Sequence, residues 1–274
     1  MLKSIKNTIL SFLKSIFIRK FMYPINKLMY RIFLRGIGIL NHRNEYISGE
    51  VNFLKKYLSL RSGSEIVVFD IGAHIGNYSK LVRNFSKKAK IYAFEPNPLT
   101  FRKLEENAKS YNFTAFCLGC GEKDGRFKLY DYNNQDATPH ATFCKNVIEK
   151  IHSSPSIETE AGVVRLDNFI ANELRIKKID LLKIDTEGYD FMVLKGAQRL
   201  ICENAIDIIQ FEFNEMNIIS RVFFKDFVDL LFNYEFYRLL PDGLVSLGEY
   251  DPVIYEIFAF QNIVAIRKDL SLRI

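Results

Sequence analysis

Tryptophan is absent from this 274-residue chain, and cysteine is scarce: Cys117, Cys120, Cys144 and Cys202 are the four. Cys117-x-x-Cys120 has the spacing of half a zinc site. No second C-x-x-C pair and no H-x-x-x-H follows to complete a tetrahedral set. Cys117 also lies in an apolar stretch where a thiol packs as a small hydrophobe, so reduced thiols of a cytosolic protein are expected, and no metal. No uncharged run approaches the ~20 residues that cross a bilayer. No small-residue cleavage site follows the short apolar runs near Met1, which argues against a secretory signal. Low-complexity tracts are missing too. What remains is an ordinary globular composition, 48% hydrophobic and 26% charged, long enough for one large α/β domain or two small ones.

Acidic residues are missing from Met1 to Asn44, where nine Lys or Arg residues stand (Lys3, Lys6, Lys14, Arg19, Lys20, Lys27, Arg31, Arg35, Arg43). The chain carries a formal charge of +6; without those nine, 29 basic residues face 32 acidic ones and the remainder carries −3. The basicity thus belongs to a leader, residues 1–47, and argues against a nucleic-acid groove in the domain, residues 48–274. Within the leader, Leu2, Ile5, Ile9, Phe12, Leu13, Ile16 and Phe17 recur at helical spacing. They predict a basic amphipathic helix, broken near Pro24 and resumed from Lys27 to Ile39. Two uses fit: adsorption to an anionic membrane, at its inner face, or packing on the domain or on a second copy in a homodimer.

Val67-Val68-Phe69-Asp70-Ile71-Gly72-Ala73-His74-Ile75-Gly76-Asn77, followed by Ile91-Tyr92-Ala93-Phe94-Glu95-Pro96, carries the chemistry. An apolar run ends on a carboxylate and a glycine-rich turn, a helical segment follows, and a second apolar run ends on Glu95. This is a βαβ unit with a nucleotide site at its strand ends. Gly72, Ala73 and Gly76 let the turn approach a ligand, and Glu95 stands where a ribose presents two hydroxyls. The order D-x-G-A-x-x-G departs from the dinucleotide pattern G-x-G-x-x-G. Asp70 would repel a pyrophosphate but suits the ammonium and sulfonium of S-adenosylmethionine. An NAD-dependent oxidoreductase is the runner-up, without a clear Tyr-x-x-x-Lys pair to support it; a catalytically silent fold is a third reading.

Patterning predicts strands Ile66–Asp70, Lys90–Glu95, Thr114–Leu118, Ile179–Asp185, Ala205–Phe213, Phe236–Leu240 and Ile257–Arg267. Helices are expected over Glu50–Leu60, Asn77–Phe85, Pro98–Tyr111, Tyr189–Cys202 and Phe223–Phe232. Arg126–Tyr132 and Ile157–Leu166 read as an additional pair of strands around the polar loop Asn133–Asp136. The result is an α/β, Rossmann-like, mostly parallel seven-stranded sheet with helices on both faces. Asp70, Glu95, Asp185 and Glu212 fall at strand ends, where such sheets bind ligands.

Six motifs in order resemble the FkbM family of S-adenosylmethionine-dependent methyltransferases. They are VVFDIGAHIGNYS (Val67–Ser79), IYAFEPNP (Ile91–Pro98), LGCGEKDGRFKLY (Leu118–Tyr130), VVRLDNFI (Val163–Ile170), IDLLKIDTEGYDFMVLKGAQRLI (Ile179–Ile201) and IIQFEFN (Ile208–Asn214). The resemblance spans Val67 to Ile266 and implies a class I methyltransferase fold that methylates a hydroxyl of a sugar, polyketide or related metabolite. It places Asp70, Gly72, Ala73, Gly76, Asn77, Glu95, Pro96 and Asn97 in the cofactor site. Cys117–Glu122, with Leu118 and Gly119, matches the end of strand three beside the adenine. His74 fills a slot that is commonly Asn.

Methyl transfer to an aliphatic hydroxyl calls for a proton acceptor. Asp185 and Glu187, at the end of the fourth strand, are the first candidates for base or hydroxyl acceptor, although Asp185 would equally serve as a helix cap. His140, in the loop Ala137–Thr142, is the second, because an imidazole titrates near neutrality. His42 and His152 are given no role. The leader would hold the enzyme near a glycan or glycolipid acceptor at the membrane.

Overall fold

The computed structural model describes residues 11–132, 138 and 140–270; the leader residues Leu2, Ile5 and Ile9 and the polar loop 133–136 lie outside them. Strands are numbered in chain order: β1 Val67–Ile71, β2 Lys90–Phe94, β3 Thr114–Phe116, β4 Gly119–Cys120, β5 Gly125–Tyr132, β6 Ser156–Val164, β7 Ile179–Ile184, β8 Ile206–Phe213, β9 Tyr234–Leu240, β10 Gly243–Ser246 and β11 Gln261–Arg267. The main sheet runs β10-β9-β11-β8-β7-β1-β2-β3. Its centre, from β3 to β8, is parallel, and β11 inserts antiparallel between β8 and β9. The seven expected strands are all present, and β10 adds an eighth at the edge.

Alternation along β1 divides the core. Val68 packs with Leu181 and Ile208 under the Glu50–Leu60 and Asn77–Phe85 helices, whereas Phe69 and Ile71 pack with Leu182, Ile184 and Phe211 on the opposite face. Burial of both faces explains why β7 is buried at every position, as a central parallel strand must be.

Differences from the expected boundaries have local causes. The Tyr189–Cys202 helix is two, Asp190–Gly196 and Gln198–Cys202. At Gly196 the chain turns so close to Gly121 that a Cβ would lie 2.0 Å from its carbonyl oxygen. β3 ends at Phe116, two residues early, and the next residues join β5 and β6 in a separate three-stranded sheet, β4-β6-β5. The last strand begins at Gln261 instead of Ile257. Pro24 opens a helix rather than breaking one: Tyr23–Gly36 carries it in the first turn, where the missing N–H costs nothing. That helix ends where Ile39 bridges to Gln261 and Leu40 N–H donates to Phe260 O. Among the described residues no helix is long and apolar enough to cross a membrane.

Candidate active site

The carboxyl ends of the parallel strands build the site. Asp70 on β1, Lys183 on β7 and Gln210 on β8 are register neighbours, so their side chains stand side by side on one face. A cation within an all-buried strand persists only with partners. Lys183 Nζ lies 3.0 Å from Asp185 Oδ2, 3.8 Å from Asp70 Oδ1 and 5.4 Å from the centre of the Tyr78 ring. Burial disfavours its charge, but Asp185, Asp70 and Glu50 outweigh burial and hold the ammonium above its ordinary pKa. Asp70 is fully buried and accepts from Ser79 Oγ at 2.7 Å. Burial pushes its carboxyl up, against the pull of Lys183 and Ser79. Asp70 therefore lies in the floor of the site, its Oδ2 held by Ser79 and its Oδ1 facing Lys183 without a hydrogen bond.

Gly72 and Gly76 both adopt left-handed backbone, with φ +76° and +81°. A Cβ on Gly72 would sit 1.8 Å from Asp185 O, and one on Gly76 would sit 2.8 Å from Leu104 Cδ1. Close packing demands both glycines, Gly72 against the β7 turn and Gly76 against the Pro98–Tyr111 helix, and Gly72 also lines the pocket beside Glu95. The Gly72 and Ala73 N–H groups each donate to Phe94 O at 2.9 Å, which ties the turn to the end of β2.

Glu95 follows β2 with both oxygens engaged: Oε2 accepts from His74 N–H at 3.0 Å and Oε1 from Asn97 N–H at 2.8 Å. Burial raises its pKa to about 7, with Asp131 and Asp70 adding to the shift and the two N–H donors opposing it. A carboxylate oxygen accepts more than one hydrogen bond, so each retains capacity for a ribose hydroxyl. Asn97 is spent on structure, capping the Pro98–Tyr111 helix at Leu99 N–H and donating to Asp131 Oδ2 at 2.9 Å. Leu118 packs against the core.

Thr138, Ala141 and Phe143 cover this region. Thr142 pairs with Tyr130 through two backbone hydrogen bonds, and its hydroxyl donates to Glu187 O at 2.8 Å. The Phe143 ring lies so near Gly119 that a Cβ there would approach within 2.7 Å. A small pocket, partly open to solvent, is lined by Gly72, Glu95, Pro96, Gly119, Asp185 and Glu187, among others. It adjoins an open cleft that Ala73, Asn77, Lys183 and Glu212 help to line.

Glu187 is held in left-handed backbone (φ +52°) just before Gly188 (φ +88°), a conformation that costs energy and concentrates at functional sites. Its Oε1 lies 3.2 Å from His140 Nδ1. That hydrogen bond raises the His140 pKa above its ordinary value, against burial; burial likewise raises Glu187. Asp185 caps no helix: Asp190, whose pKa burial lifts to about 7, accepts from Thr186 N–H at 2.7 Å in that turn. His152, given no role above, stacks on Tyr132 with ring centres 5.7 Å apart and sits 5.1 Å from the His140 ring. Ligating atoms of His140, His152 and Glu187 all lie within 4.8 Å of one another, an arrangement no sequence spacing announces. Protein hydrogen bonds already engage this group, His152 Nδ1 meeting Tyr132 OH at 2.5 Å.

The fold and the site define a Rossmann-like protein with a pocket at its strand ends that suits a nucleotide cofactor. The model of the methyltransferase FkbM domain matches residues 70–238, and the chain belongs to that family. Its cofactor is accordingly S-adenosylmethionine, and Glu95 and the Gly72–Asn77 turn fit it. Three relatives are Methyltransferase 1 of Beauveria bassiana, hexuronic acid methyltransferase AglP of Haloferax volcanii and 31-O-demethyl-FK506 methyltransferase FkbM of Streptomyces tacrolimicus. The first is 27% identical over 165 residues, 56% of this chain and 66% of the relative. The second is 27% identical over 173 residues, 62% and 64% of the two chains. The third is 30% identical over 185 residues, 55% and 70%. The chain thus spans roughly two thirds of the length of the relatives it matches.

Proposed function

We propose that this chain transfers a methyl group from S-adenosylmethionine to a hydroxyl of a small molecule or sugar, with His140 accepting the hydroxyl proton. The observation that carries the reading is a single cavity lined both by Glu95, suited to a ribose, and by Asp185 and Glu187, the latter bonded to His140. The bound cofactor supplies a methyl group already activated on a sulfonium, which leaves alignment and proton removal to the protein. Glu95 binds the ribose diol. Glu187 fixes His140 through Nδ1–H, the tautomer this bond requires, and leaves Nε2 to take the proton. Lys183 holds Asp185 in place to orient the acceptor hydroxyl. The name of one relative, a hexuronic acid methyltransferase, supports a sugar acceptor, and that of another, a 2-O-methyltransferase from Sinorhizobium fredii, supports transfer to oxygen.

The test is release of S-adenosylhomocysteine from S-adenosylmethionine with a panel of hexuronic acids, neutral sugars and polyols. Turnover with a hydroxyl acceptor, reduced roughly 10²- to 10⁴-fold in His140→Ala, is expected. Turnover only with amines or carboxylates would overturn the O-methylation reading, and undiminished His140→Ala activity would remove the base.

A further inference from the structure

Among the described residues, exposed large apolar side chains concentrate on the helical segment 11–36. Phe12, Phe17, Ile18, Phe21, Ile25, Leu28, Ile32 and Phe33 are each at least 44% exposed, an unusual load for a surface in contact with water. In the Tyr23–Gly36 helix the side chains sort by face. Ile25, Leu28, Ile32 and Phe33 fall on one side at i, i+3, i+7 and i+8, and Lys27, Arg31 and Arg35 form a stripe beside them at four-residue intervals. Leu34 is buried, and with the Ile39–Gln261 bridge it fixes the helix end to the domain. Beyond that anchor, His42, Asn44, Glu45 and Ser48 line the open cleft beside Asp185 and Glu187.

We propose that this segment docks the protein on an anionic lipid bilayer, its apolar face in the headgroup boundary and its basic stripe on the lipid charges. Charge complementarity selects this occupant. Residues 11–44 contain seven Lys or Arg and no acid, which a surface of negative potential attracts. In a symmetric dimer of this face, the same cations would be brought toward one another. The apolar side chains suit the acyl boundary, where an amphipathic helix with a cationic flank settles. Docked so, the chain holds its open cleft next to the bilayer, where a lipid-linked hydroxyl would be presented.

The experiment is sedimentation of the full chain with vesicles of phosphatidylcholine alone or with phosphatidylglycerol, at low and high salt. Two variants accompany it, Lys27→Gln/Arg31→Gln/Arg35→Gln and Leu28→Ser/Ile32→Ser/Phe33→Ser. Circular dichroism and titration with S-adenosylhomocysteine verify that both are folded with the cofactor site intact. Expected are binding that needs phosphatidylglycerol, weakening with salt, a roughly hundredfold loss in the first variant and loss in the second. Failure of the wild type to sediment, or equal sedimentation of the variants, would overturn the proposal. So would a dimer in analytical ultracentrifugation that only the serine variant dissolves, without vesicle binding; the face would then belong to a second copy. Cofactor binding is independent of each of these outcomes, so failure here leaves the methyltransferase reading standing.

Discussion

Glu95 is the residue on which cofactor recognition rests in this account. Its carboxylate, fed by two backbone N–H groups, would, on the proposed function, offer charge-assisted acceptors to both ribose hydroxyls. Glu95→Ala is expected to weaken S-adenosylhomocysteine by about ten- to a hundredfold in calorimetry, the equivalent of about 1.5–3 kcal/mol; unchanged affinity would end the ribose assignment. A second expectation concerns Glu187, whose hydrogen bond raises the His140 pKa. A base must be unprotonated to act, so the raised value places the acidic limb of the rate profile at higher pH. Glu187→Gln removes the anion and should move that limb to lower pH while lowering the rate; an unmoved limb would show that His140 is not the titrating base. At this scale the sequence reveals Glu95 through its position after an apolar run, and His140 through its loop. His152 and Lys183 escape it. The first is brought to His140 by the antiparallel β5–β6 pair, a contact local patterning does not encode. Lys183 shows in the sequence only as a lysine within the apolar run IDLLKI, and its partner Asp70 lies on another strand.

Turns between elements hold the site together more than the elements do. The β1 turn and the β7 turn meet at Gly72 and Asp185, where backbone touches backbone. Gly72→Ala would force a Cβ into the Asp185 carbonyl in a left-handed conformation, which backbone and side chain together penalise. A loss of roughly 4 kcal/mol or more in chemical denaturation is expected, together with loss of cofactor binding, and a fold as stable as the wild type would contradict the geometry. A glycine-rich turn is plain in sequence; its reason is not. The sequence argues for approach to a ligand; the structure adds close packing of two strand-end turns at Gly72, which also lines the pocket. The split of the expected Tyr189–Cys202 helix has the same origin, since Gly196 lies against Gly121, 75 residues away in the chain.

Across the whole molecule, strand order follows from alternation of apolar runs and helices, and for that reason the parallel centre of the sheet is legible. The detached sheet β4-β6-β5 is less so, because two antiparallel strands read alike whether they extend the main sheet or stand apart. Carboxylates gathered at the strand ends make stability depend on pH. Burial raises Glu95 and Asp190 to about 7 from 4.5 and 3.8. A raised acid favours the folded state while protonated, so their contribution is full below the unfolded values and is lost as pH rises through about 7. The melting temperature should climb as pH falls from about 8 to about 6, and Asp190→Asn should flatten that slope. A slope of opposite sign would mean that these carboxyls are ionised and better solvated than their burial implies.

Calorimetric titration of the purified chain with S-adenosylhomocysteine, and in parallel with NAD, tests the central claim most directly. The account predicts micromolar binding of the first, weakened by Glu95→Ala, and none of the second. NAD binding without S-adenosylhomocysteine binding would contradict it.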